Sequence, residues 1–127
     1  MGEHLPPRLH ELESRIMEEA WRQGEFTVRD ILDALNASAD SERAYTTILT
    51  VMHRLDGKGL LSRRRRGRKD IYVPALSREE YADARAEAEV AALVSEYGDI
   101  ALAHFSRHMS ELDTEHREQV RRLARGA

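Results

Sequence analysis

From Glu42 to Gly57 the chain reads as one helix with two chemically different faces, and a fold must satisfy both. At about 100° per residue, Ala44, Tyr45, Ile48, Leu49, Met52 and Leu55 fall on one side, an apolar stripe that needs a core. On the other side Arg43, Thr46, Thr47, Thr50 and Arg54 fall within an arc of about 100°. β-Branched threonine loses side-chain freedom in a helix, and Glu, Lys, Gln or Ala would cost less on an ordinary exposed surface. Three threonines between two arginines therefore suggest that this face has a use. Hydroxyls and their methyl groups hydrogen-bond phosphates and base edges and pack on thymine methyls, and guanidiniums reach guanine edges or phosphates. The bland alternative is a tolerated polar face on a packed helix.

The segments on either side narrow the choice. Leu9, Leu12, Ile16, Met17, Ala20 and Trp21 recur at three- and four-residue spacing and predict an amphipathic helix from Leu9 to Gln23, ended by Gly24. Glu25-Phe26 has room only for an edge strand. Thr27 and Asp30 form a capping box that opens a short helix from Val28 to Leu35, and Asn36 to Asp40 is rich in turn formers. A third helix starts near Ser41. After Gly57-Lys58-Gly59, two strands are expected, Leu60 to Arg65 and Asp70 to Val73, joined by a turn around Arg66-Gly67-Arg68 and closed by Pro74. Three helices followed by a basic hairpin is the order of a winged helix-turn-helix, in which the third helix enters the major groove.

Beyond the hairpin, Ser77 to Glu80 is a second capping box, opening an alanine-rich helix to about Ser95. Gly98 marks a break. Ile100, Ala101, Ala103, Phe105 and Met109 suggest a second helix, and Asp113 is placed to cap a third that carries Val120 and Leu123. These helices hold too little apolar mass for a core of their own, so they are expected to pack against the same helices of a second copy. The predicted class is α+β and mostly helical, with a winged-helix DNA-binding domain over 7–75 and a helical dimerisation region over 76–127.

Charge supports the same division. The net charge is −3, yet Glu42 to Lys69 holds nine Lys or Arg against Glu42 and Asp56, a local +7 that leaves −10 for the rest. One surface suited to phosphate on an otherwise acidic chain is the pattern of a nucleic-acid binder, although a solvated charged face would give the same count. Alternate arginines of a strand point to opposite faces, so only about half of Arg63 to Arg66 can meet one backbone. Arg66, Arg68 and Lys69 at the tip are the favoured contacts.

Other functions find little support. There are no cysteines, which excludes disulfides and thiolate chemistry and fits a reducing cytoplasm. Neither a signal peptide nor a membrane-length apolar run is legible, so a cytoplasmic location without membrane insertion is expected. No nucleophile elbow, phosphate-binding glycine loop or HExxH motif is present, and no catalysis or cofactor is expected. His104 and His108, four residues apart on a predicted helix, could chelate a metal, with His116 joining from the next helix. A ligand- or metal-gated sensor using these histidines is the alternative to a simple repressor.

Leu12-Glu13 through Ile16-Met17 to Trp21, Thr27-Val28, the string Ala44-Tyr45-Thr46-Thr47-x-x-Thr50-x-x-x-Arg54-Leu55, Lys58-Gly59-Leu60 and Tyr72 together resemble the penicillinase-repressor (BlaI/MecI) family. The resemblance implies a bacterial homodimer whose winged helices bind a two-fold symmetric operator on double-stranded DNA while the C-terminal helices interlock. It also implies that Thr46, Thr47 and Thr50 approach the major groove and that repression is promoter occlusion. In the family, release often follows cleavage within the C-terminal helices, triggered by a membrane-bound metalloprotease sensor or a downstream protease. The cleaved Asn-Phe pair aligns here with His104-Phe105, a departure at its first residue.

Overall fold

The computed structural model describes residues 9–38 and 42–126. The expected domain start at Pro7 and helix start near Ser41 lie outside these residues. Six helices and one hairpin follow in the order α1 (Glu11–Gln23), α2 (Val28–Ser38), α3 (Tyr45–Gly57), β1 (Leu61–Arg66), β2 (Lys69–Pro74), α4 (Arg78–Tyr97), α5 (Asp99–Glu111) and α6 (Thr114–Gly126). The α+β, mostly helical architecture is as read from the sequence.

The local signals act as chemistry demands. At the start of α2, Thr27 Oγ1 accepts from the Asp30 amide at 3.1 Å and Asp30 Oδ2 accepts from the Thr27 amide at 2.9 Å. Ser77 and Glu80 repeat this pair of bonds before α4, and Asp113 Oδ1 accepts the His116 amide at 2.8 Å before α6. Gly24 ends α1 with φ +82°, where a Cβ would be strained. The hairpin pairs in register from Leu61↔Pro74 to Arg66↔Lys69, which leaves Gly67-Arg68 as a two-residue connection. Gly67, at φ +64°, occupies the first connecting position, where a hairpin that follows the sheet's twist needs a left-handed residue.

Most element ends moved by one or two residues, β2 among them, which runs from Lys69 through Pro74, and three shifts bear on the site. α2 runs to Ser38, through Asn36 and Ala37, which had been expected in a turn. β1 includes Arg66, so the turn is shorter than predicted. α3 begins at Tyr45 with Ala44 as its N-cap, and Glu42, Arg43 and Ala44 are outside the helix.

The contacts divide the chain into two units, Met1–Ala86 and Glu87–Ala127. This division falls within α4, beyond the 75/76 boundary expected from the sequence, because Leu76 and Tyr81 pack against the first unit's core and Trp21 Nε1 donates to the Leu76 carbonyl at 2.9 Å. That core joins Ile16, Met17 and Ala20 of α1 to Ile31 and Leu35 of α2 and to Ile48, Val51, Met52 and Leu55 of α3. Leu61 and Tyr72 carry it into the hairpin. Phe26 forms the expected edge strand as a single antiparallel bridge with Tyr72, through amide-to-carbonyl bonds of 3.0 and 2.8 Å, and the two rings stack with centroids 6.3 Å apart. Among the described residues of the second unit only Ala101 is buried, while Val90, Leu93, Tyr97, Ile100, Leu102, Val120 and Leu123 are exposed.

Among the described residues one charged side chain sits inside the first unit. Glu13 of α1 is 2% exposed; its Oε1 accepts the His10 amide at 2.9 Å and its Oε2 meets Lys58 Nζ at 2.7 Å. Burial pushes this carboxyl up, but the Lys58 ammonium and the His10 amide override it and hold the group below its ordinary 4.5. The pair's contribution to stability is therefore complete above that value and is lost as pH falls through the folded pKa. The two partners are unequal, since Lys58 can reach solvent and Glu13 cannot. K58M should cost about 3 kcal/mol by stranding a buried charge, and E13Q only about 1 kcal/mol, as measured by urea unfolding at neutral pH. The K58M deficit should shrink as pH falls toward and through 4.5, because without Lys58 burial raises the carboxyl and its protonation relieves the stranded charge.

Candidate nucleic-acid interface

The exposed face of α3 is where the predicted contacts meet. Ile48, Val51, Met52 and Leu55 turn inward, while Thr46, Thr47, Thr50 and Arg54 are exposed. Their spacing places three hydroxyls along one side of the helix, with the Arg54 guanidinium near its C-terminal end. Among the described residues Arg54 makes no ion pair, so its donors are unclaimed by carboxylates.

Arg43 is not on this face. The sequence reading continued the helical wheel backwards to Glu42, whereas the chain is extended at Ala44 and helical only from Tyr45. The reason is a clamp from α2. Asn36 Oδ1 accepts the Arg43 amide at 2.8 Å and Asn36 Nδ2 donates to the Arg43 carbonyl at 3.2 Å, which fixes the approach to α3 by side-chain bonds in place of a helical turn. The Arg43 Nε is buried, with no hydrogen-bond partner among the described residues. Tyr45, expected on the apolar side, is 43% exposed, and Arg29 of α2 lies over its ring at 5.4 Å from the centroid.

The hairpin sorts its arginines by face, as strand alternation requires. Arg64 and Arg66 both reach Glu25, at 2.6 and 3.3 Å. On the other face Arg65 meets Asp70 at 3.4 Å, and Arg63 lies 3.7 Å from Asp56 and 3.9 Å from Asp70. Among the described residues Arg68 and Lys69 make no ion pair, and both are exposed. Of the three expected tip contacts, Arg68 and Lys69 are therefore free, and Arg66 must leave a carboxylate to meet another anion. The hairpin is anchored by Tyr72, which is fully buried. Burial pushes its hydroxyl above the ordinary value of 10, against an opposing pull from the Arg63 guanidinium.

His104 and His108 are exposed one turn apart on α5, and Phe105 between them is half-buried. His116 is engaged within α6, its Nδ1 lying 3.1 Å from the Asp113 carboxylate. Among the described residues no group of three His, Cys, Asp or Glu side chains is placed to hold a metal. No described helix is long and apolar enough to cross a membrane.

Against this geometry, a family model described as penicillinase repressor matches residues 9–125. The chain belongs to the penicillinase repressor family. Repressors act by occupancy and not by turnover, so membership accords with the absence of catalysis expected from the sequence. The transcriptional regulator BlaI of Mycobacterium tuberculosis, in two strains, is 40% identical over 88 residues, a match covering 65% of this chain and 62% of that protein. The match thus spans less than two thirds of those relatives. Two solved structures share the fold. The DNA-binding domain of the repressor BlaI is 23% identical with a TM-score of 0.52, covering 62% of this chain and 94% of that one. The monomeric form of Bacillus licheniformis BlaI in complex with the blaP half-operator is 24% identical with a TM-score of 0.50, covering 60% and 90%.

Glu25, Asn36, Arg29 and Tyr45 were not singled out as interface residues by sequence reasoning. Their partners lie on other elements, and only opposite charge (Glu25 against the arginine run) gave a signal that pattern-reading could have used. Removing the carboxylate that holds Arg64 and Arg66 should release both. E25Q should elute from heparin at higher salt than E11Q, which loses the same charge from the exposed start of α1.

Proposed function

We propose that this protein is a homodimeric transcriptional repressor that binds a two-fold symmetric operator and occludes a promoter. The observation that carries the reading is the exposed Thr46, Thr47, Thr50 and Arg54 face on α3, together with a hairpin whose tip offers Arg68 and Lys69, which have no carboxylate partner among the described residues. Family membership and the half-operator complex of a protein sharing the fold support it. In this reading the threonines and Arg54 read base edges in the major groove. Arg68 and Lys69 hold backbone phosphate, joined by Arg66 once it leaves Glu25.

The dimer reading rests on the second unit. An isolated protein has little reason to expose seven large apolar side chains on three short helices while burying almost none. A second copy would cover them, the winged helix over 7–75 would read DNA, and the helices over 76–127 would pair. Two half-sites about one DNA turn apart, or a multiple of it, would then be engaged together. Release by proteolysis would act in α5 at His104-Phe105, the pair that aligns with the family's cleaved bond. Cleavage there would separate part of the pairing region from the DNA-binding region. Operation in the cytoplasm follows from this role.

Three measurements test the reading. Genomic pull-down near physiological salt should recover promoter fragments that share an inverted repeat; recovery without preference would defeat specific repression. T47A and R54A should each weaken binding to that operator by roughly tenfold, about 1–3 kcal/mol per lost base contact, and weaken random duplex less. I100D, at a 66% exposed position that the isolated unit can tolerate, should convert the dimer to a monomer in sedimentation velocity and reduce operator affinity.

A further inference from the structure

A cavity of about 250 Å³ opens between the start of α2 and the hairpin tip, lined by Thr27, Val28, Arg29, Tyr45, Arg68, Lys69 and Asp70. Its cations differ from those of the arginine run. Each of Arg63 to Arg66 meets a carboxylate, whereas Arg68 and Lys69 meet none among the described residues. Arg29 approaches Asp33 only at 3.9 Å, with both side chains about two-thirds exposed, a contact worth little in water. The stronger restraint on Arg29 is the Tyr45 ring. Stacking on an aromatic face orients a guanidinium without neutralising it and leaves its edge donors available. The carboxylates nearby are already in use: Asp70 receives Arg65 and lies near Arg63, and Asp30 accepts the Thr27 amide.

We infer that this cavity is a seat for one phosphodiester of the bound duplex, held by Arg29 from α2 and by Arg68 and Lys69 from the hairpin. The inference rests on the operator-binding reading and adds α2 and Tyr45 to the interface. Tyr45 is the first residue of α3, directly before Thr46, so a phosphate gripped here fixes the start of the recognition helix relative to the backbone. Such a contact supplies register and leaves base identity to the threonines. Arg29 is the contacting residue and Tyr45 a positioning residue, since the ring acts by holding the guanidinium.

The test is fluorescence anisotropy of a labelled duplex against salt, with wild type, R29Q, Y45F, Y45L and a charge-matched control, R15Q on α1. R29Q should lower the log–log slope by nearly one and weaken operator and random duplex by the same factor, while R15Q leaves the slope unchanged. Y45F should behave as wild type, and Y45L should fall between wild type and R29Q although it retains every charge. If wild type binds and the R29Q slope equals that of R15Q, the seat is wrong and the repressor reading stands. If wild type binds no duplex, the repressor reading fails, and titration with inorganic phosphate followed by amide shifts decides the seat alone. Shifts confined to residues 27–29 and 68–69 and lost in R29Q would uphold an anion site, and their absence would overturn it.

Discussion

The arrangement of α1 and α3 turns on the carboxylate of Glu13. It lies 2% exposed against the core, and a charge in that position has to be answered from within the fold. Two donors answer it: the His10 amide at the start of its own helix and, 45 positions away in the sequence, the Lys58 ammonium just past the end of α3. A shift of either helix by a turn would take the carboxylate from its ammonium and leave it only the His10 amide of its own helix. The pair adds little net stability compared with an apolar contact, and its value is in specifying one relative placement of α1 and α3. The exposed face of α3 inherits its direction from that placement.

The hairpin is held by a different device. Phe26 and Tyr72 exchange backbone hydrogen bonds and stack their rings, which ties the α1–α2 connection to β2. Leu60 donates to the Leu55 carbonyl and accepts from Ala75, tying both ends of the hairpin to the end of α3. The wing is therefore fixed at its base by backbone and core, while its tip at Gly67-Arg68 is free to meet a partner. A rigid base with an exposed tip is what lets surface cations sit at a set distance from α3.

What the sequence revealed, and what it hid, follows from the range of each interaction. Capping boxes at Thr27/Asp30 and Ser77/Glu80, the Gly24 and Gly98 breaks and the hairpin were legible because each is decided by residues within a few positions. The threonine face was legible because helical periodicity is local. Arg43 was misplaced because the start of α3 is decided by Asn36, a residue that reads as a turn former and instead lies in α2, clamping the next helix. Tyr45 was assigned to the core because it is large and falls on the apolar side of the wheel, yet its ring serves Arg29. The Glu13–Lys58 pair was invisible: on a wheel Glu13 is an ordinary polar residue, and nothing near it in sequence announces a cation 45 positions away.

Charge itself shows why position outranks count. The local excess of positive charge between Glu42 and Lys69 is drawn largely from Arg63 to Arg66, and the fold brings Glu25, Asp56 and Asp70 to that run. An arginine already paired must give up its carboxylate before it can take a phosphate, so its net gain on binding is reduced by the contact it leaves. Among the described residues Arg54, Arg68 and Lys69 have no carboxylate to leave, and Arg29 has only a distant, exposed one. These four are fewer than the basic residues a sequence count would enlist. They lie on α2, α3 and the wing tip, so this weakly opposed positive charge is not confined to the arginine run that dominates the sequence.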